Sequence, residues 1–533
     1  MAPKIGPTPS APTPIAPRES APPPAKPADA PKPSAPTPSS FDPGTFIRDT
    51  MNKLGIGPHP TVPELARNDR QLKPEPEVKD LQTQLNAWRT EHGKKGIKED
   101  GYFGPKTEAA VKEFQKANGL PPTGRAGPGL QARVALENDA EFKGLNDDTK
   151  NALRSQLTAA GDDQAKLDNL SRLGTTKGLS DLSPAHQKQL VDALGRAADD
   201  DQLTAGLVKL ADSPDFAKAS DATKTSIIDT VRTSAPVTDA KVDGALALIK
   251  SPTFAALSDA DKAIACEGLR AAKCDPAYAA SLEKLIADPK FQAMSADEKT
   301  AVLSQAKNYP DARAVDNIKL ALSKDWFTKM DLGDKQRSLK MIGRLSTHAG
   351  DRAIIDNTLK KFLSPTENFK LEWKTYTDNT HGEADDGTLW LARNIVNDGN
   401  GPMVENGKTD HLTLSTVAHE VNHNINDDKV AKTYKYFEAE YRAWYVGFKA
   451  RHGREPTNAE AMSQRISWQL DESSFYGKYA KEALKDPEEA KKFYALLSKM
   501  SGKKVDASNF ATVIAEDPST WPDANKPAPV PAG

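Results

Sequence analysis

The sequence predicts a mainly α-helical protein that is divided into several domains. The chain has 533 residues, more than a single hydrophobic core usually serves. Apolar residues recur at helical spacing through most of the chain, and over a long stretch a phenylalanine returns every 36 to 38 residues. Half of the 40 prolines lie in residues 1–76, so the helical part follows a separate arm.

The charge balance and the hydropathy exclude some classes of partner. Lys and Arg total 72 while Asp and Glu total 74, so no strong field favours nucleic acid or an anionic membrane. The sequence has no run of about eighteen apolar residues, and its first residues lack the apolar segment of a secretory signal peptide. We therefore predict no nucleic-acid partner, no membrane span and no export through such a signal.

Residues 1–76 form a predicted disordered Pro/Ala-rich arm, with segments such as APPPAKPADAPKPSAPTP that cannot form a core. Within the arm, FDPGTFIRDTMNKLGI has the start signal of a helix at Asp42 and Pro43. One face of this helix is apolar and contains Phe46, Ile47, Met51 and Leu54. We favour a short staple onto the next domain, and the alternative is a helix that docks a partner.

The next segment, residues 77–135, contains two predicted helices around a glycine-rich turn. Their apolar faces form a very small core that comprises Val78, Leu81, Leu85, Ala110, Val111 and Phe114. Gly101 and Gly104 allow a tight turn, and Pro105 suits the first position of the second helix.

The turn carries the pattern D-G-x-F-G-x-x-T, present as Asp100, Gly101, Phe103, Gly104 and Thr107. With this pattern the segment resembles the peptidoglycan-binding domain family. The resemblance implies a small three-helix wall-binding domain with peptidoglycan as its partner. We expect the five residues to be mostly structural, because glycine and a capping threonine suit a turn into a helix.

Residues 136–350 repeat one pattern. Five units align on a phenylalanine, namely Phe142, Phe216, Phe254, Phe291 and Phe327, and a degenerate unit, TTKGLSDLSPAHQKQL, lies between the first two. Each unit has Ser, Asp or Asn before a charged, alanine-rich run, which indicates a helix start. One helix pair cannot bury its apolar face alone, so we predict a helical repeat region, an α-solenoid of helix-pair repeats.

The role of the repeat region stays open between two interpretations. The region is either a concave surface that binds a partner protein or a secretion system, or a spacer between two domains. It contains the chain's two cysteines, Cys266 and Cys274, which we interpret as packed thiols in preference to a local disulfide.

Residues 351–515 break the repeat pattern and contain STVAHEVNHNIND, residues 415–427. On a helix, His419 and His423 project side by side, with Glu420 at the edge of the same face. Two imidazoles at this spacing suit one Zn2+ ion, and the adjacent carboxylate is placed to take a proton from water. The alternative is a solvated helix face. The opposite, aliphatic face contains Leu414, Val417, Ala418, Val421 and Ile425.

A zinc ion held by two imidazoles needs a third protein ligand. The later helix AKTYKYFEAEYRAWYVGFKARHG offers Glu440 and Glu438, of which we favour Glu440. HExxH followed by such a glutamate resembles the gluzincin group of zinc metallopeptidases. The resemblance implies a zincin-like α+β catalytic domain with Zn2+ as cofactor, His419, His423 and Glu440 as ligands, and Glu420 as general base.

Other features of this region are less specific. GTLWLARNIV (387–396) reads as a strand, which we expect at the sheet edge that pairs with an extended substrate. Asn426 and Lys429 stand where a metzincin has glycine and histidine, which excludes that type, and Asp471 in DESSFYG is a weaker alternative ligand. The candidate donors to an oxyanion are His381, His411, Arg442, Tyr476 and Tyr479.

A wall-binding domain joined to a zinc peptidase predicts a metallopeptidase that is held at bacterial peptidoglycan. No H-x-H pair occurs among the nine histidines, which favours a polypeptide substrate over peptidoglycan crosslinks. We expect a secreted or wall-associated protein that uses another export route, as an antibacterial or phage-associated effector. The alternatives are a wall-lytic endopeptidase and a non-enzymatic wall-binding scaffold. Residues 516–533 are predicted to be a disordered tail.

Overall fold

The computed structural model describes residues 59, 61–366, 369–377, 380–396, 409–426, 434–471 and 473–530. This part of the chain is mainly helical, as the sequence predicts, and it also contains a three-stranded sheet. None of its helices has the length and apolar character needed to cross a bilayer. The helix predicted from Asp42 lies outside the described residues.

The first domain consists of three helices, α1 (Pro76–Glu91), α2 (Pro105–Ala117) and α3 (Pro128–Asn138). All six apolar residues predicted for its core are buried together, and Trp88, Phe103 and Val134 join them. Leu65 also belongs to this core, and its backbone exchanges hydrogen bonds of 2.9 and 2.7 Å with Ala126. The predicted end of the disordered arm at residue 76 is therefore too late.

From Ala140 to Leu363 the chain repeats one order of elements six times: a short helix followed by two longer helices. The short helices are α4 (Ala140–Gly144), α7 (Lys177–Ser180), α10 (Pro214–Lys218), α13 (Pro252–Ala255), α16 (Pro289–Gln292) and α19 (Asp325–Thr328). The first long helices are α5 (Asp147–Ala160), α8 (Pro184–Gly195), α11 (Asp221–Thr233), α14 (Asp259–Ala271), α17 (Ala296–Asn308) and α20 (Leu332–Thr347). The second long helices are α6 (Gln164–Gly174), α9 (Asp201–Ala211), α12 (Asp239–Lys250), α15 (Pro276–Ile286), α18 (Ala312–Leu322) and α21 (Arg352–Leu363).

The long helices of neighbouring units pack on each other in two rows, one of first helices and one of second helices. The aligned phenylalanines lie in the short helices and are at most 2% exposed, and Leu179 occupies the short helix of the degenerate unit. Helix starts are confirmed where a side chain caps the N–H three residues on, at Asn146, Ser220, Ser258, Ser295 and Asp331. Because α21 completes the sixth unit, the pattern runs past the predicted boundary at residue 350.

Cys266 and Cys274 are buried free thiols, as predicted. Burial raises the pKa of Cys266 to about 12 and that of Cys274 to about 11, so both stay protonated near neutral pH.

The remaining elements begin with β1 (Lys370–Lys374), β2 (Gly382–Asp385), β3 (Thr388–Ala392) and a 3-10 turn, Arg393–Ile395. They continue with α22 (Thr409–Asn426), α23 (Tyr434–His452), α24 (Asn458–Ala461), a π-helix (Met462–Ile466), α25 (Ser467–Leu470), α26 (Phe475–Ala483), α27 (Pro487–Ser501), α28 (Phe510–Ala515) and a 3-10 turn, Pro518–Thr520.

The sheet has the order β1-β3-β2, with β1 parallel and β2 antiparallel to β3. The segment 387–396 therefore supplies the central strand, and its prediction as an edge strand is wrong. The physical reason is the hairpin turn Asp386-Gly387, where both residues have positive φ, 41° and 71°. An Asp-Gly turn of two residues folds the preceding segment back as β2, which takes the edge position.

One hydrophobic core runs from the repeats into the sheet and α22. It includes Leu339 of α20, Leu389 and Leu391 of β3, and Val417 and Val421 of α22. The sixth unit therefore supports the sheet directly.

A second core contains α23, the π-helix, α27 and the C-terminal residues Trp521, Ala524 and Ala528. The backbone N–H of Asn458 donates to Lys526 O at 2.9 Å, and the Tyr441 hydroxyl donates to Pro529 O at 3.1 Å. The prediction of a disordered tail is thus wrong for residues 516–530, because a buried tryptophan and two alanines anchor this proline-rich segment.

Candidate metal centre

The helices α22 and α23 pack antiparallel at very close range. A Cβ atom added at Gly447 of α23 would lie 2.6 Å from the carbonyl oxygen of Ser415 on α22. A larger residue at position 447 would separate the helices. This close approach sets the side chains of the HExxH segment against those of α23.

The three predicted metal ligands meet between these helices. Glu440 Oε2 lies 3.4 Å from His419 Nε2, and Glu440 Oε1 lies 3.4 Å from His423 Nε2. The two imidazole Nε2 atoms are 3.1 Å apart, and the three ligand atoms all lie within 4.8 Å of one another. Glu438, the alternative ligand, does not belong to this group.

The buried environment sets the charges of these groups. Burial lowers the pKa of His419 to about 4, although the hydrogen bond to Glu440 opposes this shift. His419 is therefore neutral near pH 7 and keeps a lone pair for a metal. Burial alone would raise the pKa of Glu440, but its hydrogen bonds to His419 and His423 outweigh burial and hold that pKa well below the usual value. Glu440 is therefore a carboxylate.

Glu420 lies at the margin of this group, with its Oε1 atom 3.9 Å from His419 Nε2. Burial raises the pKa of Glu420 to about 7, the charge of His423 opposes the shift, and that of Glu440 adds to it. A carboxyl group with a pKa near neutrality is suited to accept and return a proton. Strand β2 runs beside Glu420, since a Cβ atom added at Gly382 would lie 3.0 Å from Glu420 Cγ.

Arg465 was not predicted from the sequence but contacts the centre directly. Its Nη2 atom donates to Glu440 Oε2 at 2.5 Å, and its side chain is only 11% exposed. The residue lies in the π-helix, and the sequence carries no signal for that distortion. Its contact with Glu440, 25 positions earlier, arises from packing of separate elements.

Among the predicted oxyanion donors, the structure brings Tyr476 to the centre. Burial, then the charge of Glu440 and to a lesser extent that of Glu420, raise the pKa of the Tyr476 phenol above its usual value, while Arg465 lowers it. Tyr479 packs against Tyr436, with ring centroids 5.7 Å apart.

The other predicted residues of the site are placed differently. His381 lies just before β2, where its carbonyl accepts a hydrogen bond from Ala392 N at 3.0 Å, and Arg442 lies on α23 one position beyond Tyr441. The side chain of His411 is outside the described part. The carboxylate of Asp471 accepts a hydrogen bond from Ser473 N at 2.9 Å and is not part of the ligand group, so the weaker alternative is not supported.

In the first domain, one buried side chain ties the signature residues together. Gln82 is 1% exposed, and its Nε2 atom donates to Asp100 Oδ1, Tyr102 O and Thr107 Oγ1 at 3.1, 3.0 and 2.9 Å. Its Oε1 atom accepts from Gly101 N at 2.9 Å. Gln82 was not predicted, since its role depends on a contact between α1 and the turn.

Each signature residue has a structural role at this turn. Gly101 has φ +73°, and an added Cβ atom would lie 3.0 Å from Glu75 O, so the position needs glycine. Phe103 is 1% exposed in the core. Gly104 differs from the expectation: its φ is −91° and the space around it is open, so it serves as a helix N-cap without requiring glycine.

Comparisons with known proteins identify this domain. Residues 74–133 match the family model of the peptidoglycan binding domain. The chain is also 66% identical over 39 residues to an uncharacterized protein in the bpoA1 3' region of Kitasatospora aureofaciens, a match that covers 7% of this chain and 33% of that protein. No solved structure matches the chain. Residues 74–133 therefore form a peptidoglycan-binding domain, which indicates association with a bacterial cell wall.

Proposed function

We propose that this chain is a zinc-dependent metallopeptidase that acts at bacterial peptidoglycan on a polypeptide substrate. The observation that carries the proposal is the convergence of His419, His423 and Glu440 within 4.8 Å, with Glu420 beside them. The three ligand residues come from two helices that close packing at Gly447 holds together. The pattern HExxH with a glutamate from the next helix resembles the gluzincin arrangement.

The donor set fits zinc. Two neutral imidazoles and one carboxylate are a usual set for a catalytic zinc ion, which keeps one position open. When bound, the ion supplies Lewis acidity, which activates water and polarises a peptide carbonyl.

The chain's own residues supply the other steps. Glu420 is placed to accept a proton from the attacking water at a carboxylate oxygen and to deliver it to the leaving amine nitrogen. Its Oε1 atom lies 3.9 Å from His419 Nε2, at the margin of the ligand group, where a water bound to the ion would be within reach. Tyr476, whose ring centroid lies 5.4 Å from the guanidinium carbon of Arg465 beside Glu440, is the candidate donor for the developing oxyanion. Strand β2 offers an edge to which an extended substrate can add by backbone hydrogen bonds.

The first domain would keep the catalytic region at its target by raising the local concentration of substrate. We infer that the six units form an α-solenoid that links the two regions rigidly. Helix α3 joins the first domain to the start of the solenoid, since Val134 packs in the core of the first domain and Leu136 packs in the core of the repeats. Glu137 joins α3 to α5 through Arg154, with bonds of 2.8 and 2.8 Å. A partner protein or secretion system on the solenoid stays a prediction.

Zinc analysis combined with activity assays tests this proposal. Wild type, Glu420→Gln and Glu438→Gln are purified, their zinc is quantified, and each is assayed on an unfolded protein and on purified sacculi. We expect about one zinc per chain in all three, because the ligands are intact. Glu420→Gln should lose hydrolysis by roughly 100-fold or more, since it lacks the general base, and Glu438→Gln serves as the matched control.

The outcomes separate the remaining candidates. Release of peptides from sacculi without cleavage of the protein would identify a wall-lytic endopeptidase, which the peptidoglycan-binding domain also favours. If the wild-type protein takes up no zinc but still binds sacculi, the remaining candidate function is that of a non-enzymatic wall-binding scaffold.

A further inference from the structure

Arg465 is a charged side chain that contacts Glu440 of the candidate metal centre, and the sequence did not predict it as part of the site. Its guanidinium contacts Glu440 Oε2 at 2.5 Å, on the carboxylate oxygen that also faces His419. Glu440 Oε1 is the oxygen that faces His423. The two oxygens of Glu440 thus have different surroundings: Arg465 binds one of them, and the other is the better placed to serve as a ligand.

The fold holds Arg465 in this position. The π-helix Met462–Ile466 inserts a wide turn, a feature that is frequent at functional sites. The guanidinium carbon lies 5.1 Å from the ring centroid of Trp468 and 5.4 Å from that of Tyr476. Tyr476 in turn stacks on Tyr436, with centroids 6.0 Å apart. The arginine is therefore oriented by aromatic faces as well as by Glu440.

We propose that Arg465 is a positioning residue that restricts Glu440 to binding the metal through a single oxygen. The inference rests on the zinc site of the proposed function. A planar guanidinium at Oε2 opposes a bidentate approach, in which both carboxylate oxygens contact the ion. With two imidazoles and one carboxylate oxygen as ligands, a fourth position is left for water or substrate.

Arginine suits this role better than lysine. Its donors form a rigid planar fork, whereas the lysine ammonium is a compact point charge on a flexible stem. The positive charge of either residue also opposes a nearby cation. Metal affinity therefore does not show whether Arg465 positions Glu440. The number of Glu440 oxygens bound to the metal does show it.

The test is X-ray absorption of the zinc-loaded full chain, which counts the atoms around the ion. The variants are Arg465→Met, which removes the charge and the fork, Arg465→Lys, which keeps only the charge, and Arg454→Met. Arg454 pairs with Glu460 at an exposed site on the same segment and is the matched control. Absorption spectra of cobalt-loaded samples give an independent measure of coordination.

We expect about four ligand atoms in the wild type and in Arg454→Met, and about five in Arg465→Met and Arg465→Lys, because Glu440 then binds through both oxygens. The cobalt bands should lose intensity in the same two variants. If Arg465→Met fails to fold, it is replaced by Arg465→Gln, which keeps a polar planar end. This variant should also show about five ligand atoms around the ion.

Unchanged coordination in folded Arg465→Met or Arg465→Gln would overturn the positioning role and leave the zinc site intact. Wild-type protein that binds neither zinc nor cobalt would instead overturn the proposed function.

Discussion

Asp334 and Arg393 form a two-point ion pair, with Arg393 Nε 3.0 Å from Asp334 Oδ1 and Arg393 Nη2 2.7 Å from Asp334 Oδ2. Asp334 belongs to the last repeat unit, and Arg393 directly follows β3. Nearby, Trp373 Nε1 of β1 donates to Ser338 Oγ of α20 at 2.9 Å. The last repeat unit therefore supports the sheet of the candidate catalytic region, and the two share one hydrophobic core.

This relationship predicts that Asp334→Ala weakens the sheet. Arg393 and Arg337 each lose a charged partner, and a hydrogen bond to a charged group contributes about 1.5–3 kcal/mol. Hydrogen exchange of peptides from residues 370–396 should become faster in the variant. Asp325→Ala, at the exposed N-terminus of α19, is the control and should leave that exchange unchanged. Equal protection in both variants would mean that the sheet does not depend on this ion pair.

The C-terminal anchor predicts different effects for two tryptophans. Trp521 is 3% exposed, and its removal should cost about 3–5 kcal/mol through the cavity it leaves. Trp468 is 47% exposed, and its replacement by alanine should cost about 1 kcal/mol or less. Chemical denaturation, monitored by hydrogen exchange of residues 434–530, measures the free energy of unfolding that each variant loses. Similar losses in Trp521→Ala and Trp468→Ala would contradict the packing of residues 516–530.

The hydrogen bonds of the buried Gln82 side chain predict that its replacement destabilises the turn of the peptidoglycan-binding domain. In Gln82→Leu, Gly101 N and Thr107 Oγ1 lose a buried partner, which costs about 1–3 kcal/mol for each group left unsatisfied. Thermal unfolding of the first domain should shift down, and sacculus binding should fall with it. Thr83→Ala, one position away on a more exposed face, is the control. Lost binding with unchanged unfolding would assign Gln82 to the ligand contact and contradict its structural role.

The surroundings of His59, which precedes the first domain, predict a pH-dependent contact between this residue and the repeats. Its Nδ1 atom lies 2.8 Å from Asp168 Oδ2, and its Nε2 atom lies 3.1 Å from Asp201 Oδ1. Burial alone lowers the pKa of His59, but the hydrogen bond to Asp168 and the charges of both aspartates outweigh burial and raise it.

The sign follows from the raised pKa. Protonated His59 is favoured in the folded state, so its stabilisation is complete below the unfolded pKa of about 6.5 and is lost as pH rises through the folded value. His59→Gln should therefore destabilise the chain more at about pH 5.5 than at about pH 8.5. Unfolding midpoints at both values measure this, and the pH dependence should vanish in Asp168→Asn/Asp201→Asn. A larger effect at the higher pH would contradict the assignment.

The sequence by itself determined the features that depend on neighbouring positions. One helical turn places His419 and His423 side by side, and the D-G-x-F-G pattern specifies a turn with glycine at position 101. The recurring phenylalanines marked the period of the repeat in five of the six units. Such features follow from backbone geometry over a few residues, which the local sequence controls.

Only the tertiary structure decided which separate elements meet. It placed Glu440 instead of Glu438 against the histidines and brought Arg465 to Glu440. It also put β2 at the sheet edge and packed Trp521 into the second core. The Asp386-Gly387 turn was a sequence signal for β2, whereas Arg465 and Gln82 had none. Contacts between distant elements depend on how helix faces approach, and a glycine such as Gly447 sets that approach only in the assembled fold.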